Sequence, residues 1–160
     1  MIDPFIHAAL LMTTPILLAA IGGLVNRVGG LVNIGLESMM LAGALVAVAV
    51  SAATGSALVA LAAAVLVGAL IGLAMSLVVT RLQANEIIVG LGFGVAVAGL
   101  VRFILKSAYG VSGTFNPPGV AMLPRLHIPY LSDIPVLGAI LSGHDGLSWF
   151  AWAMVPATAF

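Results

Sequence analysis

From Ser38 to Thr80 the chain carries no charged side chain, and that run constrains its fold more than any other feature. About 20 predominantly apolar residues cross the ~30 Å of bilayer hydrocarbon, so the run holds two crossings. Backbone N–H and C=O groups find no water in that layer. Helices satisfy them internally, which makes helices the structure such a run can adopt. The remaining composition agrees. Only 6% of the 160 residues are charged and 62% are hydrophobic, with a mean hydropathy of +1.28. A soluble domain carries about 25% charged residues. Five Lys+Arg balance five Asp+Glu, which leaves no basic face for nucleic acid. With no cysteine, disulfides, thiol catalysis and Cys-ligated metals are excluded. Asp3 stands where a secretory signal would be basic, and the first apolar run is long enough to span.

Charges punctuate the chain. The first span is Phe5 to Val25, closed by Asn26 and Arg27. Thr54-Gly55-Ser56 is the only polar turn cluster within the uncharged run. It divides a second helix, Val32 to Ala53, from a third, Ala57 to Thr80. A fourth starts near Asn85 and ends at Arg102 to Lys106, where basic side chains reach the interface. Ser107 to Ser148 holds five of the eight prolines and reads as a loop outside the bilayer core, with the apolar piece Val136 to Leu141 at the interface. A fifth apolar segment begins at Trp149. Counted from Leu147 to Phe160 it makes about 21 Å of helix, too short to cross. The expected fold is therefore an all-α, polytopic membrane protein with four full transmembrane helices plus the start of a fifth. Residues 1–160 form a single transmembrane domain, the N-terminal part of a longer chain. Arg27 and Arg81 fall on one side, and Arg102, Lys106 and Arg125 on the other. Two basic residues against three leave the orientation open.

Several residues stand out against this apolar background. Gly68 and Gly72, and Gly90 and Gly94, are GxxxG pairs that let helix backbones approach closely in lipid or leave room for a solute path. Gly90 and Gly92 match the opening of a dinucleotide fingerprint, but no strand precedes them, and no cofactor is implied. Glu37 is expected about five residues inside the second helix, where an unpaired carboxylate is costly. Either it is interfacial and favoured by the helix dipole, or it is a buried partner that fixes the bundle. Asn33 and Gly35 bring a polar group and flexible backbone to the same helix start. Pro15 removes a donor from the first helix and should kink it, as a structural feature or a gate. Asn85 is an N-cap, or it begins a helical face with Val89, Gly92 and Phe93 that lines a polar path. His7, His127 and His144 lack ligand spacing, so no metal site is expected. Neither a Ser-His-Asp set nor a carboxylate pair is readable, so membrane-enzyme chemistry has no support in the sequence.

Thr14-Pro15-Ile16-Leu17-Leu18-Ala19-Ala20-Ile21-Gly22-Gly23-Leu24, then Val32-Asn33-Ile34-Gly35-Leu36-Glu37-Ser38-Met39-Met40-Leu41-Ala42-Gly43-Ala44, then Ala84-Asn85-Glu86-Ile87-Ile88-Val89-Gly90-Leu91 resemble one family. They are similar to the N-terminal part of ABC-importer inner-membrane permeases, in the simple-sugar and nucleoside branch related to ribose and branched-chain amino-acid permeases. Ser38 stands where that family usually has glycine, and Gly94 where nucleoside-type members often carry Asn. The resemblance implies a permease subunit that moves a simple sugar or nucleoside by alternating access. It implies two cytoplasmic ATP-binding subunits that hydrolyse ATP, a second permease subunit and an extracytoplasmic solute-binding protein. It also implies a bacterial-type inner membrane, with Arg27 and Arg81 cytoplasmic and the Pro-rich loop 107–148 extracytoplasmic. The coupling helix for the ATPase would lie beyond residue 160. A branched-chain amino-acid permease is the alternative within the class. A membrane packing or scaffold subunit is the alternative outside it.

Overall fold

The structure, a computed structural model, describes residues 2–126 and 144–158. It is all-α apart from one two-residue strand pair. In chain order the elements are α1 (Ile2–Val28), α2 (Leu36–Thr54), α3 (Ala57–Arg81), α4 (Glu86–Tyr109), β1 (Arg125–Leu126), β2 (His144–Asp145) and α5 (Gly146–Ala157). Among the described residues four helices, α1 to α4, are long and apolar enough to cross a membrane. The expected interfacial piece Val136 to Leu141 lies outside the described residues.

Two compact units divide the chain, one formed by residues 26–122 and the other by residues 1–25 with 123–160. In the first, α2 touches both α3 and α4. Gly55 and Ser56 alone connect α2 to α3, which makes the two helices an antiparallel hairpin. Gly55 ends α2 in the left-handed conformation (φ 65°), its N–H donating to the Ser51 carbonyl at 2.8 Å. At that same end the Ser51 hydroxyl donates to the Ala121 carbonyl at 3.0 Å and accepts from the Ala121 N–H at 2.9 Å. The segment after α4 is thereby fastened to the end of α2.

α1 runs from Ile2 to Val28 rather than from Phe5 to Val25, and two further boundaries differ from the sequence expectation. α2 starts at Leu36 rather than Val32, because Asn33 folds the preceding residues into a turn: its Oδ1 accepts from the Gly35 N–H at 2.9 Å. α4 runs on through Ser107 to Tyr109 before Gly110 caps it. Basic side chains at Arg102 and Lys106 need not end a helix, since they can extend from it towards water.

In the other unit β1 pairs antiparallel with β2, Arg125 opposite Asp145 and Leu126 opposite His144. Asp145 caps α5, its Oδ1 accepting from the Ser148 N–H at 3.2 Å and from its hydroxyl at 2.5 Å. The buried Thr14 hydroxyl of α1 donates to the Leu10 carbonyl and lies 3.3 Å from the Ser148 hydroxyl. Fully buried His144 makes tilted ring contacts with His7 and Trp152, with centroids 4.5 and 4.9 Å away. α1 continues through exposed Pro15. The missing proline N–H leaves one carbonyl of the preceding turn without its usual donor, and neighbouring Thr13 donates to the Ala9 carbonyl at 2.7 Å.

Candidate functional site

Three segments of the 26–122 unit converge: the α1–α2 connection, the second half of α3 and the first turns of α4. Their meeting depends on two close approaches. Gly35 is buried under the end of Met75, so a Cβ there would lie 2.6 Å from Met75 Cε. Gly90 faces the chain at Ile34, where a Cβ would come to 3.0 Å from Ile34 Cβ and 3.3 Å from the Gly35 nitrogen. Gly90 lets α4 rest on the Ile34–Gly35 backbone, which is the helix-packing use of small residues in lipid, while Gly35 is covered by the flexible end of Met75.

Polar chemistry is attached to this seam. Asn85 caps α4, its Oδ1 accepting from Ile87 N–H at 2.9 Å and Ile88 N–H at 3.3 Å. With the cap supplied by Asn85, the neighbouring carboxylate is released for another task. Glu86 Oε2 accepts from the Val32 N–H at 3.1 Å, which ties α4 to the connection after α1. Beside this bond lies a cavity of about 220 Å³ lined by Asn26, Asn33, Met39, Met75, Ser76 and Glu86 among others. The second Glu86 oxygen, the Asn26 carboxamide and the Ser76 hydroxyl have no partner among the described residues. Asn33 Nδ2 makes only a 3.8 Å contact to Met39 Sδ. The cavity therefore offers donors and acceptors together, and Glu86 is its sole charged lining residue among those described.

At the opposite end of α4 a second cavity, about 330 Å³, is lined by Arg102, Lys106, Val111, Ser112 and others. It has the reverse sign.

The four residues expected on one face of α4 are treated differently by the packing. Asn85 is exposed, Val89 is buried, Gly92 is exposed with open space where a Cβ would stand, and Phe93 is half-buried. None of the four lines the Glu86 cavity, whereas Asn33 and Gly72 do. Gly72 faces Met39 Cε at 3.5 Å, while Gly68 and Gly94 face open space. Glu37 lies in the first turn of α2, exposed, because that helix starts later than expected; it makes no ion pair with another described residue. Glu86, Asn26 and Ser76 were not singled out for the site. The available signal was the Asn85-Glu86 step itself, since a helix start capped by Asn does not need a second acceptor.

Four helices long and apolar enough to cross a membrane make this an integral membrane protein, with the Glu86 cavity at the end where α3 finishes and α4 begins. A family model described as "Branched-chain amino acid transport system / permease component" matches residues 5–154, and the chain belongs to that family. It is 33% identical to the guanosine ABC transporter permease protein NupQ of Bacillus subtilis over 84% of its length, covering 44% of that protein. It is 30% identical to the nucleoside ABC transporter permease protein NupC of Lactococcus lactis over 94% of its length, covering 49% of that protein. The chain thus spans a little under half the length of these relatives. No solved structure matches it.

Proposed function

We propose that this chain forms a membrane-spanning part of the permease of an ATP-driven importer for a small polar solute, a nucleoside or simple sugar, moved by alternating access. The observation that carries the reading is the permease-family match over residues 5–154 of a chain with four membrane-length helices; a cavity where α3 ends and α4 begins adds an unengaged carboxylate oxygen. A carboxylate and carboxamides beside membrane-spanning helices are tolerated best where they face water, protein or a polar guest. The named relatives supply the solute class and the use of ATP.

In this reading the chain lies in a bacterial-type inner membrane, Arg27 and Arg81 are cytoplasmic, and the Pro-rich stretch between α4 and α5 is extracytoplasmic. That stretch is shorter than the expected loop 107–148, because α4 reaches Tyr109 and α5 begins at Gly146. Two cytoplasmic ATP-binding subunits hydrolyse ATP, a second permease subunit completes the pathway, and an extracytoplasmic binding protein delivers the solute. The face of α4 with Asn85, Val89, Gly92 and Phe93 lines the path. Gly92 leaves it space and Phe93 offers a ring for stacking on a sugar or base.

Single cysteines from Asn85 to Phe93 in the assembled transporter test this, because the chain has none of its own. Gly92→Cys and Phe93→Cys should react with a small aqueous thiol reagent faster than Leu91→Cys, and solute should protect them. Val89→Cys should become reactive only during ATP turnover, as its burial is relieved. Inertness throughout the segment, with turnover, would remove α4 from the path.

A further inference from the structure

We propose that the Glu86 cavity is a selectivity site that holds an uncharged solute through two neighbouring hydrogen-bond donors and turns away its phosphorylated form; this rests on the importer reading above. Three features lead to it. First, Glu86 is already anchored: one oxygen is held by the Val32 N–H at 3.1 Å, so the carboxylate is oriented before any solute arrives. A carboxylate only accepts hydrogen bonds, and its oxygens retain free lone pairs after that single bond. The matching ligand feature is a pair of adjacent N–H or O–H groups.

Second, among the described residues the lining contains no Lys, Arg or His to offset Glu86. A phosphate entering the cavity would meet a like charge at short range, beside a half-buried carboxylate. An uncharged solute meets no such penalty. The specificity is therefore by charge as well as by hydrogen bonding, in the manner of a site that acquires selectivity through repulsion.

Third, the walls are soft and flat-seeking. Met75 places its Sδ and Cε over Gly35, and Met39 Cε lies over Gly72. Thioether groups make favourable contacts with ring systems and adapt to their outline. Asn26, Asn33 and Ser76 stand around them to bond the rim of a ring. The donor pair can come from the ring N–H and amino group of a purine such as guanine, or from vicinal hydroxyls of a sugar ring.

The test uses membrane vesicles containing the assembled transporter, with tritiated guanosine and tritiated ribose offered separately, and inosine and guanosine monophosphate as competitors. Glu86→Gln keeps an oxygen that can accept from Val32, so the seam survives while the charge and one acceptor are lost. Asn26→Ala removes a rim group whose side chain bonds nothing else in the described chain. In the parent transporter the monophosphate should not compete. Glu86→Gln should raise the KM of the transported solute about tenfold or more, with a smaller effect on kcat, and the monophosphate should begin to compete. Asn26→Ala should raise KM alone.

A guanosine preference over inosine that collapses in Glu86→Gln assigns the donors to the base. A ribose KM that rises equally in the variant assigns them to the sugar. If the parent transporter carries either solute, yet both variants keep its KM and still exclude the monophosphate, the cavity is not a selectivity site, and the importer reading stands without it. If the parent shows no ATP-driven uptake of either solute, the importer reading fails and this inference falls with it.

Discussion

Gly90 faces Ile34 so closely that a methyl group on the glycine would come within 3.0 Å of the isoleucine Cβ. The neighbour there is a branch point next to backbone, with little freedom to move aside. Gly90→Val should therefore lower the melting temperature in detergent, with a cost of about 1–3 kcal/mol from overpacking. Gly94→Ala is the control. It faces open space, and a helix-interior alanine is favoured over glycine by about 1 kcal/mol, so its melting temperature should be unchanged or higher. Equal loss in both variants would mean that the close approach does not hold α4 in place.

Ser51 is the only side chain of α2 hydrogen-bonded to the segment after α4 among the described residues, and it satisfies both backbone groups of Ala121. Ser51→Ala should cost about 1–3 kcal/mol, since it leaves a partly buried N–H and C=O unpaired. The Ala121 amide should then exchange with deuterium at least about tenfold faster. Ser51→Thr keeps the hydroxyl and should preserve most of the protection.

Asp145→Ala should fray the start of α5 and cost about 1 kcal/mol, the usual worth of a lost N-cap. Asp145→Asn, which retains the accepting oxygen for the Ser148 N–H, should lose much less. Hydrogen exchange of the Leu147 to Phe150 amides separates the two.

Glu37→Gln and Glu37→Ala should both be nearly silent in thermal melting, within about 1 kcal/mol. Glu37 is exposed in the first turn of α2, where the helix dipole contributes only about 0.3–1 kcal/mol. A buried ion pair broken from one side would cost about 3–5 kcal/mol, and a loss of that size would show that Glu37 has a partner in the assembled transporter.

Both ends of α3 and the start of α4 were legible because local chemistry sets them. Ser56 and Gly55 leave no room for continued helix, Arg81 closes the apolar run, and Asn85 is a cap by its own side chain. The start of α2 was not legible to the same degree. A hydrophobic pattern runs from Val32 onward, and only the Asn33–Gly35 bond, with Met75 and Gly90 pressing on the same backbone, delays the first turn. Placing Glu37 too deep followed from that error. The cavity was hidden for another reason. Its defining bond joins Val32 to Glu86, residues 54 apart, and Ser76 and Asn26 are unremarkable until the fold sets them beside that carboxylate. Helical periodicity puts Val89 and Gly92 on one face of α4, yet Val89 is buried and Gly92 exposed. It carries no information on which part of that face a neighbouring loop would cover.

The two-residue connection between α2 and α3 also bears on how the chain enters its membrane. To lay this hairpin across a bilayer, the insertion machinery must carry one tip through the hydrocarbon, and the tip consists of Thr54, Gly55 and Ser56. No charge has to be dehydrated on the way, because none lies between Glu37 and Arg81. The arms, 19 residues in α2 and 25 in α3, can descend as a pair, with Glu37 and Arg81 left on the starting side as stops. A single lysine at Ser56 would add a translocation toll of about 2.5–3.5 kcal/mol at mid-bilayer, and the defect would show in biogenesis rather than in the finished fold.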